Sequence, residues 1–165
     1  MSGEGRPLEE FSRALGPKSA KGRKIAIVAA SWHAEIVEVM VGKAKAELHR
    51  LGAKRVDIYR VPGSFEIPVM AAHLIQDYDG LIALGLVLRG ETAHFEYVCS
   101  GVTQGITHLS VTVKKPIAFG VLMCETLAQA IARSGVDGAA EDKGVECAQA
   151  VIATLVAIDS IRISS

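Results

Sequence analysis

Apolar residues fall along this chain in two rhythms. Short runs, largely apolar, have the length of buried strands at 24–30 (Lys-Ile-Ala-Ile-Val-Ala-Ala), 81–87 and 116–123, and a second strand of mixed polarity is expected at 55–60. Between them apolar positions recur every three or four residues, the stripe of a helix with one buried face. The first such stretch, Ile36, Val37, Met40, Val41, Ala44 and Leu48, predicts a helix over about 34–51 that Gly52 stops. Further helices are expected from 65–66 to about 77, with Pro68 tolerated in the first turn, from 91 or 92 to about 109, from 126 to 133–135, and from 143 to about 160. A linker at 138–140 separates the last two. The order βαβαβαβαα implies a parallel sheet with right-handed crossovers. The expected fold class is α/β: a flavodoxin-like three-layer sandwich, with helices on both faces of a four-stranded parallel sheet.

Composition narrows this without changing it. The 165 residues suit one domain, half of them are hydrophobic, and only 5% are aromatic. Ala, Val, Ile and Leu supply most of the core, as a buried parallel sheet requires. Residues 1–23, rich in Gly, Ser and charged side chains, read as a flexible tail in which Leu8, Phe11 and Leu15 could touch a neighbouring surface; the domain proper is 24–165. The formal net charge is zero, so neither nucleic acid nor an anionic membrane is an expected partner. No apolar run reaches the ~20 residues of a spanning helix, and the amino terminus has no signal-peptide core. Cys99, Cys124 and Cys147, odd in number and without a CxxC, read as free thiols of a cytoplasmic protein.

In a parallel sheet every strand ends on the same side, so the turns after the strands converge on one cleft. They carry Ser31-Trp32-His33, Pro62-Gly-Ser-Phe-Glu66, Arg89 to His94, and Met123-Cys-Glu125. Gly90-Glu91-Thr92 at a helix start offers free N–H groups, a hydroxyl and the positive end of the helix dipole, which suits a phosphate; Thr92 is equally an ordinary N-cap. The segment is neither GxxxxGK[ST] nor GxGxxG, so a nucleotide triphosphate is not indicated. His94, beside any anion held there, can shuttle protons near neutral pH, or be a helix-surface histidine. Trp32, the single tryptophan, is either core or a stacking platform for a flat heterocycle. Glu66 can bond a heterocycle or polyhydroxyl, or favour its helix start. Arg133 and Lys143 can neutralise a phosphate, or be solvated charges at helix ends. No histidine pair has HxxxH or HExxH spacing, and zinc is not indicated.

Four motifs together resemble the 6,7-dimethyl-8-ribityllumazine synthase family of riboflavin biosynthesis. They are Val61-Pro-Gly-Ser-Phe-Glu-Ile-Pro68, Leu84-Gly-Leu-Val-Leu-Arg-Gly-Glu-Thr-Ala-His-Phe-Glu-Tyr-Val98, Pro116-Ile-Ala-Phe-Gly-Val-Leu122 and Asp142-Lys-Gly-Val-Glu-Cys147, in order within 24–158. The resemblance implies condensation of 5-amino-6-(D-ribitylamino)uracil with 3,4-dihydroxy-2-butanone 4-phosphate, with loss of phosphate and water and no metal or other cofactor. It places Trp32 on the pyrimidine ring, and Ser64, Phe65, Glu66, Val87 and Leu88 on the ring and ribityl chain, with His33 and Arg89 among the substrate contacts. Glu91 and Thr92 match the phosphate turn, and His94 the proton-transfer residue that Glu146 would support. Phe119, Arg133 and Lys143 match positions contributed by an adjacent subunit, so a homo-oligomer is implied.

The chain departs from the family pattern in places. His33 and Asp142 stand where Asn is common, and residues 135–143 form a longer linker than that of members that build sixty-subunit shells, which favours a free pentamer. The rival readings are a lumazine- or flavin-binding protein without turnover, which would need neither His94 nor a phosphate site, and a structural shell protein.

Overall fold

The structure, a computed structural model, describes residues 14–163. In chain order it contains β1 (Lys24–Ala30), α1 (Ala34–Arg50), β2 (Arg55–Val61), a single 3-10 turn (Ser64–Glu66) running into α2 (Ile67–Leu74), β3 (Gly80–Leu88), α3 (His94–Val113), β4 (Ile117–Cys124), α4 (Leu127–Ile131) and α5 (Lys143–Ile163). The strands form one sheet in the order β2-β1-β3-β4, and each neighbouring pair is parallel. This is the expected flavodoxin-like α/β architecture.

Side chains of a strand alternate between faces, and here both faces are covered. Ile25, Ile27, Ala29, Ile82, Leu84, Leu86, Ala118 and Leu122 pack under α1 and α5. Ala26, Val28, Ala30, Leu81, Ala83 and Val121 pack under α2 and α3. Double burial is why β1, β3 and β4 read as near-continuous apolar runs, whereas the edge strand β2, only partly buried, carries Asp57 and Arg60 among its apolar residues. Each wholly buried Ile or Leu contributes about 1.5–3 kcal/mol. α1 and α5 meet closely at Gly144, where a Cβ would stand 2.3 Å from the carbonyl oxygen of Met40. The same seam holds a polar knot: the buried Glu47 carboxylate accepts from Arg50 Nε and Nη2 at 2.6 and 2.7 Å and from Gln149 Nε2 at 2.8 Å.

The strands begin and end within about a residue of expectation, but several helices do not. α2 stops at Leu74, short of 77, because the chain beyond it is gathered by Lys115, whose Nζ donates to the carbonyls of Ile75, Gln76 and Tyr78 at 2.9, 3.3 and 2.9 Å. α3 starts at His94, not at 91–92, and continues to Val113, where Lys114 leaves the helix at φ 55°. α4 ends at Ile131, not at 133–135, and the chain then closes a small bridge between Ser134 and Asp142. Gly135 makes that closure possible: its φ is 81°, and a Cβ there would lie 2.6 Å from the Asp142 carboxyl. Asp142 Oδ1 in turn accepts from Val145 N–H at 2.9 Å at the start of α5.

Two further differences concern the chain ends. Residues 14–23 of the expected tail lie against the domain: Leu15 and Ala20 are buried, Ala20 N–H bonds Leu51 O at 2.9 Å, and Lys21 bridges Ala53. Leu8 and Phe11 fall outside the described residues. α5 runs past 160, and its segment Lys143–Ile161 has the length and mean hydropathy (1.5) of a membrane span, although polar residues interrupt every apolar run in it. Cys147, Ala148, Val151, Ile152 and Leu155 form its buried stripe, which makes it a core helix covering the sheet.

Candidate active site

The carboxyl ends of the strands bring the expected turns to one edge of the sheet. The turns after β1 and β2 are stitched together: Ser31 N–H and Oγ bond Val61 O at 2.8 and 2.9 Å, and Trp32 N–H bonds Pro62 O at 3.2 Å. Trp32 is therefore anchored through its backbone while its indole is 69% exposed, which excludes a core role within the chain and leaves a face for stacking. His33 adopts the left-handed region (φ 57°, ψ 46°) at the start of α1, and its carbonyl accepts from Ile36 and Val37. Asn and His are among the few non-glycine residues enriched at such a position, which explains how His can stand where Asn is common.

The Pro-Gly-Ser-Phe-Glu turn is held by packing. Ser64 is only 6% exposed and its Oγ lies 3.5 Å from Leu86 O. It fits because residue 85 is glycine; a Cβ there would sit 2.5 Å from Ser64 Oγ. Phe65 rests on Gly101 of α3, where a Cβ would be 2.8 Å from its ring, yet it remains 58% exposed. Glu66 Oε2 accepts from Gly63 N–H at 2.9 Å, fixing the turn. Val87 and Leu88, half-buried, end β3 beside it. Trp32, Ser64, Phe65, Glu66, Val87 and Leu88 thus build one half of a cleft, with an aromatic face, a carboxylate and apolar walls.

The other half is the segment 89–94. Glu91, Thr92 and His94 are all exposed. Thr92 is not the N-cap, which is Ala93; its Oγ1 only approaches His94 N–H, at 3.4 Å. The N–H groups at the start of the 20-residue α3 remain available for an anion, with His94 as the first helical residue. Arg89 behaves differently from a free cation. Its guanidinium pairs with Glu96, lies 2.6 Å from Glu125 and stacks 4.2 Å above the Phe95 ring. Those bonds, from Glu96 first and then Glu125, raise the guanidinium pKa further, while the Arg89 bond holds Glu96 below the usual carboxylate range. Glu96 was not among the expected site residues, and Glu125 was expected only as part of a converging turn; the sheet, which pairs Leu88 with Cys124, brings it to Arg89.

Of the remaining candidates, Arg133, Lys143 and Glu146 lie together and Phe119 lies apart. Arg133 Nη1 bonds Gln129 O at 2.9 Å, and Lys143 N–H bonds Arg133 O at 3.0 Å. Lys143 Nζ lies 2.9 Å from Glu141 and 2.5 Å from Glu146. Burial works to lower its pKa, but the bonds to Glu146 and Glu141 outweigh it and keep the ammonium charged. Glu146 accordingly meets Lys143 within one chain. Phe119 sits mid-strand on β4, the outer strand, away from the strand-end cleft. It is 38% exposed and lines a groove of about 420 Å³ with Thr103, Ile106, Thr107, Ser110 and Ile117. The thiols offer no nucleophile: burial raises Cys99 and Cys124, and pushes Cys147 up to about 12.

A flavodoxin-like α/β domain with an exposed aromatic turn and a long helix start at the carboxyl ends of its parallel strands is the class of protein the structure defines. The sequence profile of the 6,7-dimethyl-8-ribityllumazine synthase family matches residues 22–158. A 6,7-dimethyl-8-ribityllumazine synthase of Paenarthrobacter aurescens is 46% identical over 158 residues, 96% of this chain and 98% of that protein. Proteins of the same name from Streptomyces avermitilis and Cutibacterium acnes are 43% and 48% identical, over 98% and 88% of this chain and 97% and 88% of their own lengths. The chain belongs to the 6,7-dimethyl-8-ribityllumazine synthase family.

Proposed function

We propose that this protein condenses 5-amino-6-(D-ribitylamino)uracil with 3,4-dihydroxy-2-butanone 4-phosphate to 6,7-dimethyl-8-ribityllumazine, the penultimate step of riboflavin biosynthesis. The observation that carries this reading, beside family membership, is the two-part cleft: an exposed Trp32 and the Ser64–Glu66 turn on one side, and the helix start at His94 on the other.

The pyrimidine stacks on Trp32, with Ser64, Phe65, Glu66, Val87, Leu88 and the backbone at His33 around the ring and ribityl chain. Glu91, Thr92 and the first N–H groups of α3 receive the phosphate. The substrate amine attacks the ketone and water leaves to give an imine. Loss of a carbon-bound proton then expels phosphate and leaves an enol; protonation of its terminal carbon makes a new carbonyl, and closure by the second amine on that carbonyl releases water again. Each step moves a proton, and His94 beside the phosphate is placed to give and take it. Holding both substrates in register supplies several kcal/mol besides, up to roughly 7–11 in favourable models.

Phe119, Arg133 and Lys143 serve the cleft of a neighbouring subunit in a homo-oligomer, which we assign as a pentamer working in the cytoplasm. The exposure of Phe119 on the edge strand β4, away from its own strand ends, supports this, and Arg133 is tied to Lys143 through the backbone. Arg133 pairs with the phosphate, and Glu146 supports His94 across the same interface.

Mixing the protein with both substrates and following lumazine fluorescence tests the reaction. Product should form well above the uncatalysed rate. Tight product binding with no acceleration would instead make the protein a lumazine carrier.

A further inference from the structure

We propose that Arg89 is a positioning residue: its guanidinium, shared between Glu96 and Glu125 over the Phe95 ring, fixes the 90–94 loop and with it the phosphate turn and His94. This rests on the reaction proposed above. It differs from the expectation that Arg89 itself contacts substrate.

The loop has little else to hold it. A Cβ at Gly90 would meet nothing within 4 Å, and residues 91–94 are all exposed. Within the loop, the contact made is the long one from His94 N–H to Thr92 Oγ1. Packing cannot decide where such a segment sits, so its two ends must. Arg89 ties them together. Its backbone N–H bonds Cys124 O at 2.9 Å, which locks the exit of β3 to β4. Its side chain then reaches forward to Glu96 in the first turn of α3 and sideways to Glu125 after β4. One side chain joins the end of β3, the start of α3 and the turn after β4, around the loop that carries Glu91, Thr92 and His94.

The charges favour the same assignment. Arg89 stands between two carboxylates, so it brings no net positive charge to a phosphate. It does neutralise carboxylates that would otherwise repel one. A forked planar guanidinium stacked on an aromatic ring is the group suited to two partners at once. Each exposed ion pair alone contributes little stability, so the effect is expected in catalysis and not in folding.

The test is a double-mutant cycle of Arg89→Gln against the pair Glu96→Gln and Glu125→Gln, with melting temperature as the check on folding. If Arg89 positions the loop, either arm lowers kcat/KM for the phosphorylated substrate by roughly tenfold, up to about 10²-fold, since small misplacements cost that much. Pyrimidine affinity stays within about twofold, and the triple variant is no worse than either arm. Wild-type kinetics in the paired-glutamate variant, or an Arg89→Gln loss that repeats in full when both glutamates are already replaced, would make Arg89 a direct substrate contact and overturn the proposal. Hydrogen exchange at Tyr97, whose N–H bonds the carbonyl of Ala93 in the loop, separates this from a failure of the reaction itself. If the wild-type protein forms no lumazine, both arms should still speed exchange there to the same extent. Unchanged exchange would sink the clamp whatever the activity.

Discussion

The two halves of the cleft are built by different forces. The half proposed for the ring is set by close packing: Ser64 sits where residue 85 has no side chain, and Phe65 lies on Gly101. The half proposed for phosphate is set by charge and helix geometry: an exposed loop, a helix start and the Arg89 ion pairs. Packed interiors resist deformation, whereas exposed ion pairs contribute little to stability. Substitutions at the packed positions of the first half should therefore register in folding and ring affinity together. Those in the second should register in turnover or phosphate affinity, with the fold untouched.

The largest effect is expected at His94. Replacing it by Ala should lower kcat by roughly 10²-fold or more, the usual span for a general acid–base group, while leaving residual activity from the aligned substrates and an unchanged melting temperature. Complete loss in a folded, substrate-binding protein would show that His94 carries more than proton transfer beside proximity. Next is Gly85→Ala, whose new methyl group would press on Ser64 Oγ. It should cost about 1–3 kcal/mol in denaturant unfolding and weaken pyrimidine binding as well; an unaltered midpoint would mean the ring half is not packing-limited. Trp32→Ala should do the converse within the same half. It should leave stability within about 0.5 kcal/mol, as for an exposed side chain, yet reduce pyrimidine affinity by about 0.5–1.5 kcal/mol in calorimetry.

The smallest effect lies away from both halves, in the α1–α5 seam. Glu47 is held below its usual pKa, chiefly by its hydrogen bond from Arg50, with burial opposing. A carboxylate with a depressed folded pKa contributes stability that is present above its unfolded pKa, near 4.5, and is lost as pH falls through the lower folded value. Glu47→Gln should therefore flatten that acid limb of the stability curve, read by thermal melts across pH, without altering the affinity for either substrate.

The same division explains what could be read from the residues alone. β1, β3 and β4 were legible because burial on both faces demands near-continuous apolar runs, and the turns at the strand ends then follow from parallel topology. α2 was read too long because its end is gathered by Lys115, a residue distant in sequence whose ammonium holds the carbonyls of Ile75, Gln76 and Tyr78. The start of α3 was read too early because Glu91 and Thr92 look like helix openers, whereas the Arg89–Glu96 pair spans a loop that delays the helix to His94. The β-branched run Val111-Thr-Val113 is a weak helix former, yet it stays helical at the end of α3. Trp32, Ser64 and His94 could be singled out by type and place. Glu125 could be placed at the strand ends by topology, but its pairing with Arg89 could not be read, because nothing local marks a residue whose partner is across the sheet.

The central claim is that a working site joins the strand-end cleft of one subunit to Arg133 of the next. Mixing His94→Ala and Arg133→Ala subunits, each folded and nearly inactive alone, tests it most directly once they have been dissociated and reassembled and mixed oligomers are confirmed by mass spectrometry. With random mixing, about a quarter of the sites should pair an intact His94 with an intact Arg133 from its neighbour, and lumazine formation should return in that proportion. Mixed oligomers no more active than their parents would place both residues in the site of a single chain and contradict the account.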